Sequence, residues 1–578
     1  MGDLKDKSVM VIGGTTDVGA KVCDALGKEG VKLTICGSNK AQGEEFTSSL
    51  VKKYSPNLQA AFSFTNPGDR ASVDTAFKKA KNTFEYVHYV INCAQIWDDG
   101  QNWTTEVDVN MRGTFIVSLL ALEHLGTRKN MSAEGATVFN VSSTLAFQPN
   151  YLMPIFGATK AAVLKFTRDM GTEFQFGLNK IKFVAVCPAL SRDEQSTFFN
   201  MAQTKMVLPY DELLNAWKKV QINNFQTNEH VASEIVSLMK SNPKNGGVYM
   251  IDGEKTMPPP PPATKPTSAA PKGPPPKGKA PPVNNPDRFN LNELRTDVTA
   301  DIEKAIAATK VSELSKYAIF VTGGANGLGR EIVKAFAKEG CKVAILDQDQ
   351  TKGQDLAMEL CKVHGKAAVM FFQCNLTDPK SFEASMKLAK SQLGRFDVLV
   401  NNASCWADNL EQFDKSISLN FKSVVTGSLL AVNTMGTKRG GEGGLVLNIA
   451  DTLAFIPAFL TPIYAATKAA VIKFTSDMGV SQHYAMNKVG FLSIVPSGFS
   501  GSSLFGEPQN KIMVSGKDMM EPFTKSFDMK QAKQTAEQVA QNIVKIVKNG
   551  ERSGTFLVEN GNFKKIDLPV VSAKPVLM

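Results

Sequence analysis

The sequence predicts an α/β protein of two doubly wound, parallel-sheet domains in tandem. Three observations carry that expectation: a long internal repeat, a proline-rich stretch between its copies, and strand–helix alternation inside each copy.

The repeat is the firmest of the three. STLAFQPNYLMPIFGATKAAVLKFTRDMG, from Ser143 to Gly171, matches DTLAFIPAFLTPIYAATKAAVIKFTSDMG, from Asp451 to Gly479, without a gap and with about two-thirds of positions identical. The offset stays near 310 residues throughout, pairing Gly13 with Gly323, Asn110 with Asn420, Lys160 with Lys468 and Pro188 with Pro496. A shift that long copies a whole domain, since solenoid repeats have periods of roughly 20–50 residues. A chain of 578 residues also exceeds what one hydrophobic core holds together. The predicted domains are 1–256 and 315–578, with a linker at 257–286 and a helical lead-in at 287–314.

The linker reads MPPPPPATKPTSAAPKGPPPKGKAPPVNNP. Proline fixes φ and lacks an amide donor, so an extended spacer of polyproline II character is expected, long enough to reach across a domain. The lead-in places Leu291, Leu294, Val298, Ile302, Ala305 and Ile306 near helical spacing, as an amphipathic helix would. In the second copy, AIFVTGG, KVAILD, AVMFFQCN, DVLVNNA, GLVLNIAD and VGFLSIVP read as strands, separated by helical runs such as GREIVKAFAKEG. That alternation fits a parallel sheet covered on both faces.

Composition narrows the function classes. Hydrophobic residues make up 43% and charged residues 21%, ordinary for a globular protein. No apolar run approaches the roughly 20 residues of a membrane helix. The opening MGDLKDKSVMVIGG enters an apolar strand at once, so no secretory leader is expected. The eight cysteines form no CxxC pair and have no neighbouring histidine, which predicts reduced thiols, a cytoplasmic setting and no metal site. Part of the +10 charge falls on the linker, at Lys265, Lys272, Lys277 and Lys279. With no basic helix and no RNA-binding aromatic motif, nucleic acid is not an expected partner.

The first strand of the second copy runs into Thr322-Gly323-Gly324-Ala325-Asn326-Gly327-Leu328-Gly329 and then a helix. Glycines permit the sharp turn and the close approach of backbone to a pyrophosphate, which the helix N-terminus attracts. Gly323, Gly327, Leu328 and Gly329 are therefore candidate contacts in a Rossmann-type dinucleotide site. Asp347, ending the second strand, would accept from the adenosine ribose hydroxyls and repel a 2′-phosphate, which predicts NAD over NADP. The first copy has Asp17 in place of Gly327 and Gly37 in place of the ribose-binding acid. Repulsion at one point and a lost charge-assisted hydrogen bond at the other predict a poor cofactor site, or none.

Taken with VNNA at Val400 to Ala403, with Asn420, and with the Tyr464-Ala-Ala-Thr-Lys468 run, the glycine loop resembles the short-chain dehydrogenase/reductase family. The repeated block and the endings GGVYMIDG and SGTFLVENGNFKKIDLP are similar to its insect alcohol dehydrogenase and 15-hydroxyprostaglandin dehydrogenase branch. The resemblance implies a tyrosine acid–base, a lysine four residues on that lowers its pKa and holds the nicotinamide ribose, a serine thirteen residues before, and an asparagine in a proton relay. It adds Asn375, Asn402 and Lys468 to the cofactor contacts. The second copy then has Asn420, Tyr464 and Lys468, but Asp451 where serine belongs. The first has Asn110, Ser143 and Lys160, but Phe156 where tyrosine belongs. A composite site using Ser143 in the other domain is not expected, because each site lies at the ends of its own sheet.

As a carboxylate, Asp451 would disfavour the tyrosinate; buried and protonated, it would donate in place of serine. Thr452, taken to alternate with it on a strand, is a poor substitute. The loop after the sixth strand also departs from the family's Pro-Gly, as Cys187-Pro188-Ala189 and Pro496-Ser497-Gly498. Phe198, Phe199 and Met201 in one copy, and Phe505, Met513, Met519 and Met520 in the other, fit a lid over an apolar alcohol or carbonyl ligand, or equally lid and interface packing. The family's habit of pairing through the Asn110 and YxxxK helices implies a pseudo-dimer within one chain, with room for further oligomers. The expected function is NAD(H) binding through the second domain with catalysis impaired or lost. The alternative is an active NAD-dependent dehydrogenase of an apolar secondary alcohol or ketone.

Overall fold

The computed structural model describes residues 3–127, 135–147, 150–191, 206–208, 226–252, 255–257, 313–500, 504 and 532–568. The linker beyond 257, the lead-in helix and the Phe/Met lid residues lie outside them.

Each copy folds around one eight-stranded sheet. The first holds β1 (Ser8–Ile12), β2 (Lys32–Gly37), β3 (Gln59–Phe64), β4 (Tyr89–Asn92), β5 (Ala136–Val141), β6 (Ile181–Pro188), β7 (Val248–Asp252) and β8 (Lys255–Met257). The second holds β9 (Ala318–Thr322), β10 (Lys342–Asp347), β11 (Val369–Gln373), β12 (Val398–Asn401), β13 (Gly444–Ile449), β14 (Val489–Pro496), β15 (Ser553–Glu559) and β16 (Asn562–Ile566). Their spatial orders are the same: β3-β2-β1-β4-β5-β6-β7-β8 and β11-β10-β9-β12-β13-β14-β15-β16. All pairings are parallel except the last in each sheet, an antiparallel edge. The six strands read from sequence are present, and each sheet adds two more from its ending segment. Runs such as Ala318–Thr322 are buried along their whole length, as strands covered on both faces must be.

The strand order reverses between β1 and β4, and between β9 and β12. At such a switch point neighbouring loops leave the sheet in opposite directions and open a crevice at its carboxyl end. Helix α1 (Asp17–Lys28) follows β1. Helix α2 (Gly113–Leu125) follows a π-helical turn at Asp108–Arg112, and helix α3 (Pro154–Met170) opens on a proline, whose missing amide costs nothing there. The second domain repeats them as α4 (Gly327–Lys338), α5 (Ser423–Met435, after the π-helical turn Ser418–Lys422) and α6 (Pro462–Met478).

Helices α3 and α6 pack along each other, and nearly every residue of both is buried. Around them run contacts between the domains. Arg112 forks onto Asp414 at 2.5 and 2.8 Å, and Lys422 reaches Asp108 at 2.7 Å. Among the described residues no helix is long and apolar enough to cross a membrane.

Candidate functional site

The two crevices differ most at their glycine loops. In the second domain Gly327 adopts φ +51°, and a Cβ built there would find nothing within 4 Å, so the groove above it is open. A Cβ on Gly329 would come within 2.0 Å of the Gly323 carbonyl oxygen, so only glycine lets α4 start so close to the turn. Leu328 is buried beneath. Asn402 ties the loop to β12: its Nδ2 donates to the carbonyls of Thr322 (3.1 Å) and Gly323 (3.2 Å), and its amide to Thr322 Oγ1 (3.0 Å). Asp347 accepts from the amides of Ala325 and Asp349, each at 3.0 Å, at the end of β10. Asn375 sits at the tip of β11 as an exposed turn, accepting from the Thr377 amide at 3.1 Å.

The first domain keeps the close approach, at Gly19 against the Gly13 carbonyl, but not the rest of this arrangement. Asp17 opens α1 in place of Gly327, and Cys93 stands where Asn402 ties the loop. A Cβ on Gly37 would meet Thr15 Oγ1 at 2.4 Å, so Thr15 fills the space where the second domain keeps its acid.

At the second crevice the structure brings Asn420, Asp451, Tyr464 and Lys468 together. Strand β13 ends at Ile449, and Asp451 caps a short 3₁₀ turn at Thr452–Ala454, its Oδ1 accepting from the Leu453 amide at 2.8 Å. Thr452 therefore belongs to that turn, and the strand alternation expected from sequence does not apply, because the chain must bend there to reach α6. Tyr464, 1% exposed on the first turn of α6, donates its hydroxyl to Asp451 Oδ2 at 3.1 Å. Lys468, one turn on, donates to the Ile449 carbonyl at 3.1 Å, its Nζ 5.5 Å from the Tyr464 ring centre. Asn420 sits in the π-helical turn and is held on both sides, Oδ1 accepting from the Cys405 amide (2.8 Å) and Nδ2 donating to the Cys405 carbonyl (2.9 Å) and Thr467 Oγ1 (3.2 Å). Such turns recur at functional sites because the extra residue re-aims a side chain.

The electrostatics follow from burial and the carboxylate. Asp451 keeps part of its residue surface exposed, but its carboxyl is shut in, and burial raises its pKa. Burial, then the charge of Asp451, pushes the Tyr464 phenol well above its ordinary range. Burial lowers Lys468 to about 8, with Asp451 pulling the other way. The phenol thus keeps its proton, and points it at Asp451.

In the first crevice Ser143 donates to the Pro188 carbonyl at 3.4 Å and accepts from the Leu145 amide at 3.2 Å, both inside its own domain. The Phe156 ring occupies the tyrosine position, with Lys160 Nζ 5.2 Å from its centre and donating to the Val141 carbonyl at 3.2 Å. Asn110 repeats the contacts of Asn420, against Ile96 and Thr159.

Sequence reading missed two residues. Asp408 accepts from the amides of Ile463 (2.6 Å) and Tyr464 (3.2 Å), and Asp99 from those of Ile155 (2.6 Å) and Phe156 (3.0 Å). Each fully buried carboxyl caps the helix that carries the tyrosine position, and burial lifts both to about 8. The signal was present, since Trp97-x-Asp99 recurs as Trp406-x-Asp408 at the repeat offset.

Comparison with known proteins agrees with this geometry. The short chain dehydrogenase family matches twice, over residues 7–200 and 317–510, together about two-thirds of the chain. Human 15-hydroxyprostaglandin dehydrogenase [NAD(+)] is 29% identical over 184 residues, 32% of this chain and 68% of that protein. The development-specific 25 kDa protein of Sarcophaga peregrina is 26% identical over 251 residues, 43% of this chain and 94% of its own. The crystal structure of the N-domain, with NADP, of a bacterial malonyl-CoA reductase superposes with a TM-score of 0.63 at 14% identity, covering 97% of this chain and 98% of that one. That last likeness speaks to the fold alone. Two family matches, on two sheets of one strand order, establish that the chain belongs to the short chain dehydrogenase family.

Proposed function

We propose that the chain binds NAD(H) through its second domain, and that alcohol oxidation there is impaired, leaving a binding, sensing or structural role. The residues of the second crevice fit a dinucleotide: an open groove over Gly327, a tied glycine loop, and Asp347 aligned with the loop amides. Those of the first do not, with Thr15 filling the acid's place and Asp17 at the groove. Bound NAD⁺ supplies the hydride acceptor. Asp347 selects NAD by repelling a 2′-phosphate. An apolar secondary alcohol or its ketone is the ligand class we assign. The eight free cysteines support a cytoplasmic setting, and the packing of α3 on α6 supports an intrachain pseudo-dimer.

The observation that carries the reading is the Tyr464–Asp451 hydrogen bond. Alcohol oxidation needs a group able to take the hydroxyl proton near working pH. A tyrosinate beside a carboxylate is the wrong state to hold, so Tyr464 stays a donor. One observation favours the alternative of an active dehydrogenase: burial raises Asp451, and a protonated carboxyl donates to a substrate oxygen as serine would.

Calorimetry with NADH on the full chain, with a turnover screen of secondary alcohols, separates the two. One equivalent bound, little wild-type turnover, and a gain of ~10²–10⁴-fold in Asp451→Ser support impairment. Wild-type turnover abolished by Tyr464→Phe establishes the active enzyme instead. Absence of NADH binding sinks both.

A further inference from the structure

The interface between the domains is not confined to helix backs. On α3, Lys165 forms an ion pair with Asp169, and on α6 Lys473 forms one with Asp477; all four side chains are at most 3% exposed. The second oxygen of each aspartate then crosses to the other domain. Asp169 Oδ1 accepts from the Ala458 amide at 3.1 Å, and Asp477 Oδ1 from the Asn150 amide at 2.8 Å.

Ala458 occupies a telling place in the chain, within the stretch that joins Asp451 to Tyr464. Its carbonyl accepts from Thr461, the residue that opens α6, and the Thr461 carbonyl accepts from Ala465, next to Tyr464. The neighbouring residue is held across the interface as well: Gln175 Nε2 donates to the Phe459 carbonyl at 2.9 Å, and the Phe174 and Phe459 rings lie 4.8 Å apart. Tyr464 belongs to a small buried cluster with Trp406, Leu453, Ala458, Leu460 and Ala465. Phe174 and Leu178 of the first domain pack against that cluster.

We infer that the first domain is a positioning and specificity element for the second-domain site, acting through Asp169 at Ala458 and through Phe174 and Leu178 beside the Tyr464 cluster. The contacts described above are carboxylate, amide and aromatic, so this is not a shared catalytic set. What crosses is a buried carboxylate that fixes the loop between Asp451 and Tyr464, and an apolar wall that selects the hydrocarbon part of the ligand. The carboxylate is fit for this because Lys165 balances its charge in a place water does not reach, and a buried hydrogen bond to an ionised group is stronger than one between neutral groups. The specificity half of the inference rests on the proposed ligand site; the positioning half rests on the contacts alone.

The test is thiol alkylation of the folded full-length chain, read by peptide mass spectrometry. Cys405 and Cys361 are the cysteines not fully buried. Cys405 is bonded through its amide to Asn420 and is close enough to Lys468 and Tyr464 to weigh on their protons, while Cys361 serves as the internal reference. Asp169→Asn and Phe174→Ala should each raise the Cys405 rate relative to Cys361 by about fivefold or more, through local opening. Asp477→Asn loosens the same interface but frees Asn150 of the first domain, and should leave the ratio within about twofold. If Asp169→Asn does not fold, Gln175→Ala, which removes the Phe459 bond across the interface and a 3.5 Å bond from Asn179 inside the first domain, takes its place with the same expectation. Equal rises in all variants would reduce the contacts to plain interface stability, and no rise in any would detach the first domain from the site; either result overturns the positioning role. In the Asp451→Ser chain, Phe174→Ala should raise KM for an apolar secondary alcohol with kcat little changed. An Asp451→Ser chain without turnover would sink the proposed function, while the alkylation ratio would still decide the positioning role.

Discussion

The two domains share a strand order, a π-helical turn with its asparagine, and a buried aspartate under the tyrosine helix, yet differ at several candidate cofactor and catalytic positions while keeping others, among them Gly13 for Gly323 and Lys160 for Lys468. Where the second domain has Gly327, Asp347, Asn402 and Tyr464, the first has Asp17, Gly37, Cys93 and Phe156. The shared features include the scaffold and part of the crevice, such as Lys160 and Lys468, and the divergent ones cluster at the crevice. A fold of this kind tolerates change at the crevice because the core and the site draw on different side chains of the same strand ends.

The largest expected effect sharpens that contrast. Phe156→Tyr restores a hydroxyl to the first domain, but with Cys93 in place of Asn402, Asp17 in place of Gly327 and Thr15 in the acid's place, turnover should stay at background. A gain comparable to the ~10²–10⁴-fold expected of Asp451→Ser would mean that the first domain still takes a cofactor. Next in size is affinity. Gly327→Asp puts the first domain's carboxylate into the open groove of the second and should weaken NADH binding at least about tenfold, or ~1.4 kcal/mol, by calorimetry. The reverse change, Asp17→Gly, should create no site.

The smallest effect concerns the shared aspartate. Burial lifts Asp408 to about 8, from an unfolded value of about 4. Between those values the folded chain holds a proton that the unfolded chain has released, so this group's contribution to stability falls as pH rises from about 4 to about 8. Asp408→Asn removes that dependence, and its thermal midpoint should drop less than the wild type's between about pH 6 and about pH 8, by a few degrees. A parallel decline in both proteins would assign the titration to other groups.

Much of the scaffold and of the site was readable from the chain. Glycine strings at strand ends, the VNNA run and the tyrosine–lysine spacing depend on local backbone geometry, and local geometry leaves a local pattern. The last two strands of each sheet, β7 with β8 and β15 with β16, show in the sequence only as ending segments, because short strands broken by Gly and Asn carry little periodicity. For Asp408 the repeated Trp-x-Asp marks only a shared position, and nothing in it shows that two amides of α6 turn toward the carboxyl. Asp169 was harder still. In FTRDMG it reads as an ordinary helical i,i+4 partner of Lys165, and its second bond is made 289 residues away. Contacts between domains are set by how the sheets meet, which no window of sequence contains.

The crossing bonds around α3 and α6 have a further consequence. In an assembly of two identical chains, a substitution near the twofold axis always appears twice, and both copies must tolerate it. Joining the copies in one polypeptide lifts that constraint. Gln175 bonds the Phe459 carbonyl on one side, while His483, at the matching place, bonds the Tyr151 carbonyl at 2.7 Å on the other. Arg112 and Lys422 likewise solve one position in two ways. Covalent fusion turns a surface obliged to match itself into two surfaces free to diverge, so each half can be shaped to the other without having to fit a copy of itself.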